Sequence, residues 1–136
     1  MLDESDMVIL NEMRKNARVS YSTLARKLGL SETAVRKRVE KLLKEGVISR
    51  FTVETNLGFR AIIFASVEPK HSCGEVARKI LELKGVEKVY EISGEYDLAI
   101  FLSTKSYTDA NRTIDAVRSL NGIKSTYTVA ILGVHY

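Results

Sequence analysis

Cysteine and histidine are scarce in this 136-residue sequence, which has one of the first and two of the second. A lone Cys73 excludes an intramolecular disulfide and any multi-cysteine metal site. His71 and His135 lie too far apart in sequence to form a local ligand pair. Also missing are a Cys next to a His, a nucleophile elbow, a phosphate-binding glycine loop and any metal-ligand spacing, so neither catalysis nor a cofactor is expected. No apolar run approaches the roughly 20 residues that span a bilayer, so a membrane partner is not expected. Residues 1–10 carry three acids and no basic n-region, so the chain has no secretory signal and is expected to be cytoplasmic. Cys73 itself, beside Gly74, reads either as a loop or helix-start residue or as a reactive thiol.

What the chain does have is charge, 28% of its residues, and it is unevenly placed. Between Arg14 and Lys44 ten Lys or Arg face two acids, a local net charge of +8, whereas the whole chain carries +4. From Arg60 onward the count is ten basic against nine acidic. A field this concentrated costs self-repulsion and implies a polyanionic partner. The hydrophobic fraction of 45% suffices for one moderate core or two small ones.

The basic half predicts three short helices. The first spans about 3–15, with Ile9, Leu10, Met13 and Ala17 as its apolar stripe, and the second about 22–28, ending at Gly29. The third opens on "SETAVRKRVEKL", 31–42, with Ser31 as N-cap, and runs to about residue 45. Val35, Val39, Leu42 and Leu43 share one side of its wheel, while Thr33, Lys37, Lys41 and Lys44 gather on the other. "VISRFTVE", 47–54, is rich in β-branched and aromatic residues and predicts a wing-like strand. Two helices joined by a Gly-containing turn, the second basic on its outer face, make a helix-turn-helix.

Lys37 and Lys41 are flexible point charges suited to phosphates, as are Lys44, Arg14 and Arg18. Ser31, Thr33, Ala34 and Lys37 occupy the N-terminal part of the third helix, the part that reaches base edges in a helix-turn-helix, and Arg36 and Arg38 flank that face. Arg38 also sits near the core side of the wheel, which leaves an internal role equally open.

Beyond a turn-rich hinge, "TNLGF" at 55–59, the pattern alternates: strands at 60–67, 86–92, 97–102 and 123–134, with helices at about 73–83 and 107–120. This βαββαβ order predicts an α+β protein, an N-terminal winged helix-turn-helix at 1–54 followed by a ferredoxin-like antiparallel sheet at 60–136. "DLAIFL" and "VAILGV" are apolar at consecutive positions, so both faces of those strands should be buried. A second copy of the chain or the helical half would cover the second face.

Together, "LD…D..IL", "NAR.S", "LA..LGLS", "R.R...L…GVI" and "G.YD", in this order, resemble the Lrp/AsnC, or feast/famine, transcriptional regulators over nearly the whole chain. Within that family, "RKRVEKL", the short "ISRFTVE" and "NRTIDAVRS" are most similar to the lysine-responsive archaeal members. The resemblance implies a sequence-specific regulator on double-stranded DNA, dimers through the C-terminal sheets that often form octamers, and an amino-acid effector, lysine first, bound at subunit interfaces. Carried over by position, Gly94, Tyr96 and Asp97 are the effector loop, and Thr126 and Thr128 are where neighbouring subunits close the pocket. Asp115 and Glu95 read either as partners for a cationic effector or as solvated acids; on its own "SGEYD" reads equally as a hairpin turn. A rival reading is a small-molecule sensor that acts through a protein partner rather than DNA.

Overall fold

A computed structural model describes residues 1–136. The chain divides into two compact units, Met1–Glu54 and Thr55–Tyr136. In the first, α1 (Glu4–Lys15), α2 (Tyr21–Leu28) and α3 (Glu32–Lys44) follow one another through short turns. Each helix starts on a side chain that accepts from a first-turn N–H: Asp3 from Asp6, Ser20 from Thr23 and Ser31 from Ala34. The α2–α3 turn requires a left-handed residue, and Gly29 supplies it at φ 65°. Ile9, Leu24, Val35, Val39 and Leu42 interlock as the core of this unit.

Asp3 and Asp6 also exchange side-chain and backbone hydrogen bonds in a capping box, at 2.9 and 3.1 Å. Arg38 of α3 closes the arrangement, donating through Nη1 to Asp3 Oδ2 at 2.7 Å and to Asp6 Oδ1 at 2.8 Å. Asp6 is only 3% exposed, so this guanidinium neutralises a carboxylate that burial would otherwise penalise.

The second unit orders β1 (Phe59–Val67), α4 (Cys73–Leu81), β2 (Val86–Glu91), β3 (Leu98–Thr104), α5 (Tyr107–Ser119) and β4 (Ile123–Ala130). Its antiparallel sheet runs β2-β3-β1-β4, the ferredoxin-like order. Alternate β1 residues Ala61, Ile63 and Ala65 join Leu98, Ile100 and Leu102 of β3 in packing against Val76 and Ile80 of α4 and Ala110 and Val117 of α5. Ile62, Phe64, Tyr90, Phe101, Tyr127 and Val129 share the other face, as the strand register requires.

Two expectations from the sequence are corrected. Residues 47–54 form no strand, and Val53 is 81% exposed: β-branched content makes a strand only where a neighbour takes the backbone groups, and none is present in this chain. The last strand stops at Ala130 rather than at 134: Ile131 N–H still donates to the Arg60 carbonyl at 2.9 Å, but no pairing with β1 follows it, and Leu132, 99% exposed, lies beyond the ladder. The apolar run at 131–134 is therefore not a doubly buried strand. In β3 the run does reflect two apolar faces, with Leu98, Ile100 and Leu102 inward and Ala99 and Phe101 on the other face.

The Asp3 carboxyl is held below its ordinary value of 3.8, first by the Asp6 N–H and then by Arg38. A lowered folded-state value means that the stability contributed by Asp3 is fully present above pH 3.8 and is lost as pH falls through the folded value. Asp3→Asn is expected to lower the unfolding midpoint at pH 7 and to make no difference once pH is well below that range. Thermal unfolding of both proteins from pH 7 to pH 2 checks this.

Candidate nucleic-acid interface and effector loop

The outer side of α3 is open. Ser31, Thr33, Arg36, Lys37 and Lys41 are exposed, Ala34 is half-buried, and Val35, Val39 and Leu42 turn inward. Lys37 makes no ion pair, and Lys41 stands 3.9 Å from Glu45, too long for a strong pair. Arg36 lies over the Tyr21 ring at 5.6 Å, which holds its guanidinium beside the start of α2. Ser31 Oγ accepts the Ala34 N–H at 3.1 Å, so its hydroxyl is part of the cap. Arg38 takes the internal role that its place on the wheel left open, its guanidinium committed to Asp3 and Asp6. On the neighbouring helices, Lys15 and Lys27 are drawn to Glu12, at 3.5 and 2.8 Å. The Glu12 carboxyl is held below the usual range chiefly by its hydrogen bond from Lys27. Arg36, Lys37 and Lys44 of α3 make no ion pair, and neither do Arg14, Arg18 and Arg26 outside it.

The 93–97 loop joins β2 to β3, and Ile92 N–H donates across it to the Asp97 carbonyl at 2.9 Å. Gly94 has φ 142° with open space where a Cβ would stand, and Glu95 is exposed. Asp97 is not free: its Oδ2 accepts the Val67 N–H at 2.8 Å and its own N–H donates to the Ala65 carbonyl at 2.9 Å, tying the loop to the end of β1. The Tyr96 ring lies 5.7 Å from Phe64 and 6.4 Å from Tyr127, on the sheet face away from the helices.

Thr126 and Thr128 pair with Ala65 and Ile63, both core-facing, and so point to the helix side of edge strand β4. Asp115 is on α5, exposed, 3.7 Å from Arg118. One chain therefore brings Gly94, Glu95, Tyr96 and Asp97 together but leaves Thr126, Thr128 and Asp115 on the other side of the sheet. Burial, followed by the charges of Asp97 and Glu91, pushes the Cys73 thiol up, which keeps it protonated and unreactive at neutral pH. Sequence reasoning missed Tyr21 beneath Arg36 and the aromatic set Phe64, Tyr90, Phe101 and Tyr127. For the second set the signal was the unbroken apolar run 98–102, which puts Ala99 and Phe101 on the face opposite Leu98, Ile100 and Leu102.

The comparisons with known proteins follow the same division. Residues 2–49 match the winged helix-turn-helix DNA-binding model, and residues 60–135, more than half the chain, match the Lrp/AsnC ligand-binding domain. The chain belongs to the Lrp/AsnC family. It is 44% identical to the HTH-type transcriptional regulator LysM of Sulfurisphaera tokodaii, covering 99% of this chain and 98% of that one. LysM of Saccharolobus solfataricus is 43% identical over 96% of this chain and 94% of its own. Among solved structures, B. subtilis LrpC superposes with a TM-score of 0.77 at 26% identity, covering 100% and 98% of the two chains. The two LysM relatives are named as transcriptional regulators, and no helix of this chain is long and apolar enough to cross a membrane.

In this Lrp/AsnC chain the Asp97–Val67 bond has a testable consequence. Asp97→Ala removes the acceptor from a partly buried N–H, and a loss of about 1–3 kcal/mol in the stability of the sheet unit is expected. Asp97→Asn, which keeps an acceptor, should lose less. Urea denaturation of the three proteins measures both.

Proposed function

We propose that this chain is a sequence-specific regulator of transcription that docks α3 in the major groove of double-stranded DNA and whose affinity for its operator is set by an amino-acid effector, with lysine the first candidate. The observation that carries the reading is the outer face of α3: Thr33, Lys37 and Lys41, exposed and without strong partners, beside Arg36. An α-helix fits the major groove, where side chains from its N-terminal turns meet base edges and lysines further along meet phosphates. Lysine as effector is supported by the name of the two LysM relatives and by the acids Glu95 and Asp97 of the loop, which favour a ligand with positive charge. No single chain gathers the whole loop and strand set, so the effector site needs a second copy.

That second copy would cover the outer sheet face. Ile62, Phe64, Phe101 and Val129 lie there with Tyr90 and Tyr127, the last 56% exposed, an apolar surface of the kind that obligate dimers bury. Effector and DNA are coupled if the effector binds one assembly better than another, and the coupling is then reciprocal.

Three measurements test these proposals. Lys37→Ala should leave folding intact and weaken operator binding by about 1–3 kcal/mol if Lys37 reads a base, and by less, uniformly across sequences, if it meets only phosphate. Unchanged affinity for every duplex would remove α3 from the interface. In light scattering the intact protein should run as a dimer or larger, and Ile62→Asp should release monomers; a wild-type monomer would sink the sheet-to-sheet proposal. Calorimetric titration of the twenty amino acids, with and without operator, should show lysine binding and an equal mutual change of affinity. If none of them binds, the chain is a DNA-binding protein without this switch.

A further inference from the structure

We propose that the sheet unit carries a second small-molecule site, at the end of the sheet remote from the 93–97 loop, which takes an amphipathic anion: a carboxylate on an apolar tail. A cleft of about 760 Å³ opens there between the residues just before β1, the α4–β2 turn, the end of β3 and the first turns of α5. That volume is typical of sites for small organic ligands. The seven residues of β3 separate cleft from loop, roughly 20 Å of extended chain, so the two are not one site.

The chemistry of the walls selects the ligand. Leu57, Leu83 and Ala116 supply apolar surface, and Lys84, Lys105 and Arg112 supply positive charge. Asp109 is the one acid on the walls, and its Oδ1 lies 3.6 Å from Arg112 Nη1, while Lys84 and Lys105 have no acidic partner. A zwitterionic amino acid would bring its own ammonium against these two lysines. A polyphosphate would leave the apolar walls wet. A single carboxylate at the rim with a hydrocarbon body inside satisfies both, and the tail would cover Leu57, which is otherwise 72% exposed.

The cleft is preformed. A Cβ at Gly58 would overlap the Thr104 carbonyl oxygen, and one at Gly85 would sit 2.6 Å from Thr104 Cγ2, so both backbones close tightly on the end of β3. Gly85 C=O accepts the Ser103 N–H at 2.8 Å, and the Thr113 hydroxyl donates to the Lys84 carbonyl at 2.7 Å, joining α5 to the turn. Arg60 Nη1 donates to the Thr55 carbonyl at 3.1 Å and steadies the remaining wall. Little ordering therefore remains for a ligand to impose.

The test needs no DNA, so its failure is separable from failure of the DNA-binding reading. The intact ¹⁵N-labelled protein is titrated with octanoate and, separately, with octanamide, the uncharged analogue of the same shape. Octanoate should shift the amide signals of Gly58, Gly85, Thr104 and Thr113 saturably. Octanamide should bind roughly fivefold to tenfold more weakly, and so should octanoate to the Lys84→Ala/Lys105→Ala double variant, whose spectrum reports whether it is folded. Equal binding of the two compounds, or octanoate shifts confined to the outer sheet face around Phe64 and Tyr127, would overturn the assignment.

Discussion

The burial of three aliphatic side chains, Val35, Val39 and Leu42, fixes what the N-terminal unit can present. Their stripe seats α3 against Ile9 and Leu24, and at 100° per residue it leaves Thr33, Lys37 and Lys41 on the opposite side. A helix with this many cations repels itself; packing on the inner face opposes that repulsion, and a polyanion on the outer face would relieve it. Arg38 shows the division of labour within one basic run. It is the cation turned inward, where the capping box of α1 supplies two carboxylates, and by pairing with them it ties α3 to the start of α1.

The sheet unit divides its two faces in a similar way. The helix-facing side is closed around Ala61, Ile63, Leu98 and Ile100, which are fully buried, while the other side presents aromatic and aliphatic residues to solvent in a single chain. Tyr96 links the loop to that open face by lying against Phe64 and near Tyr127, and Asp97 links it to the backbone of β1. Loop and face are thus mechanically one surface. An assembly that covers the face would also set the surroundings of the loop, which gives a physical route for effector and oligomer to influence each other.

Much of this was legible in the sequence because it rests on local rules. Ser31 followed by an aliphatic stripe at 3.6-residue spacing marks α3 to within a residue, and Gly29 marks the turn before it. The order of strands and helices after residue 59 follows from alternating patterns that each element carries in itself. What failed depended on partners distant in sequence. Residues 47–54 have strand composition without a neighbouring strand, and 131–134 continue an apolar run past the last residue that pairs with β1. Arg38 could not be assigned from its wheel position, because the acids that claim it sit 35 and 32 residues away. The opposite facing of Thr128 and Tyr96 likewise follows from register, which hydrophobicity alone does not specify in an edge strand.

The central claim is that the unpaired cations of α3 meet a DNA backbone, and salt tests it most directly. Binding to an operator fragment, measured by filter retention from about 50 to 200 mM salt, should weaken linearly in a plot of log affinity against log salt, with a slope of about −0.9 for each phosphate neutralised. A slope corresponding to several phosphates, made shallower by about one unit in Lys37→Ala, is the predicted result. Affinity that does not change with salt, in either protein, would contradict it.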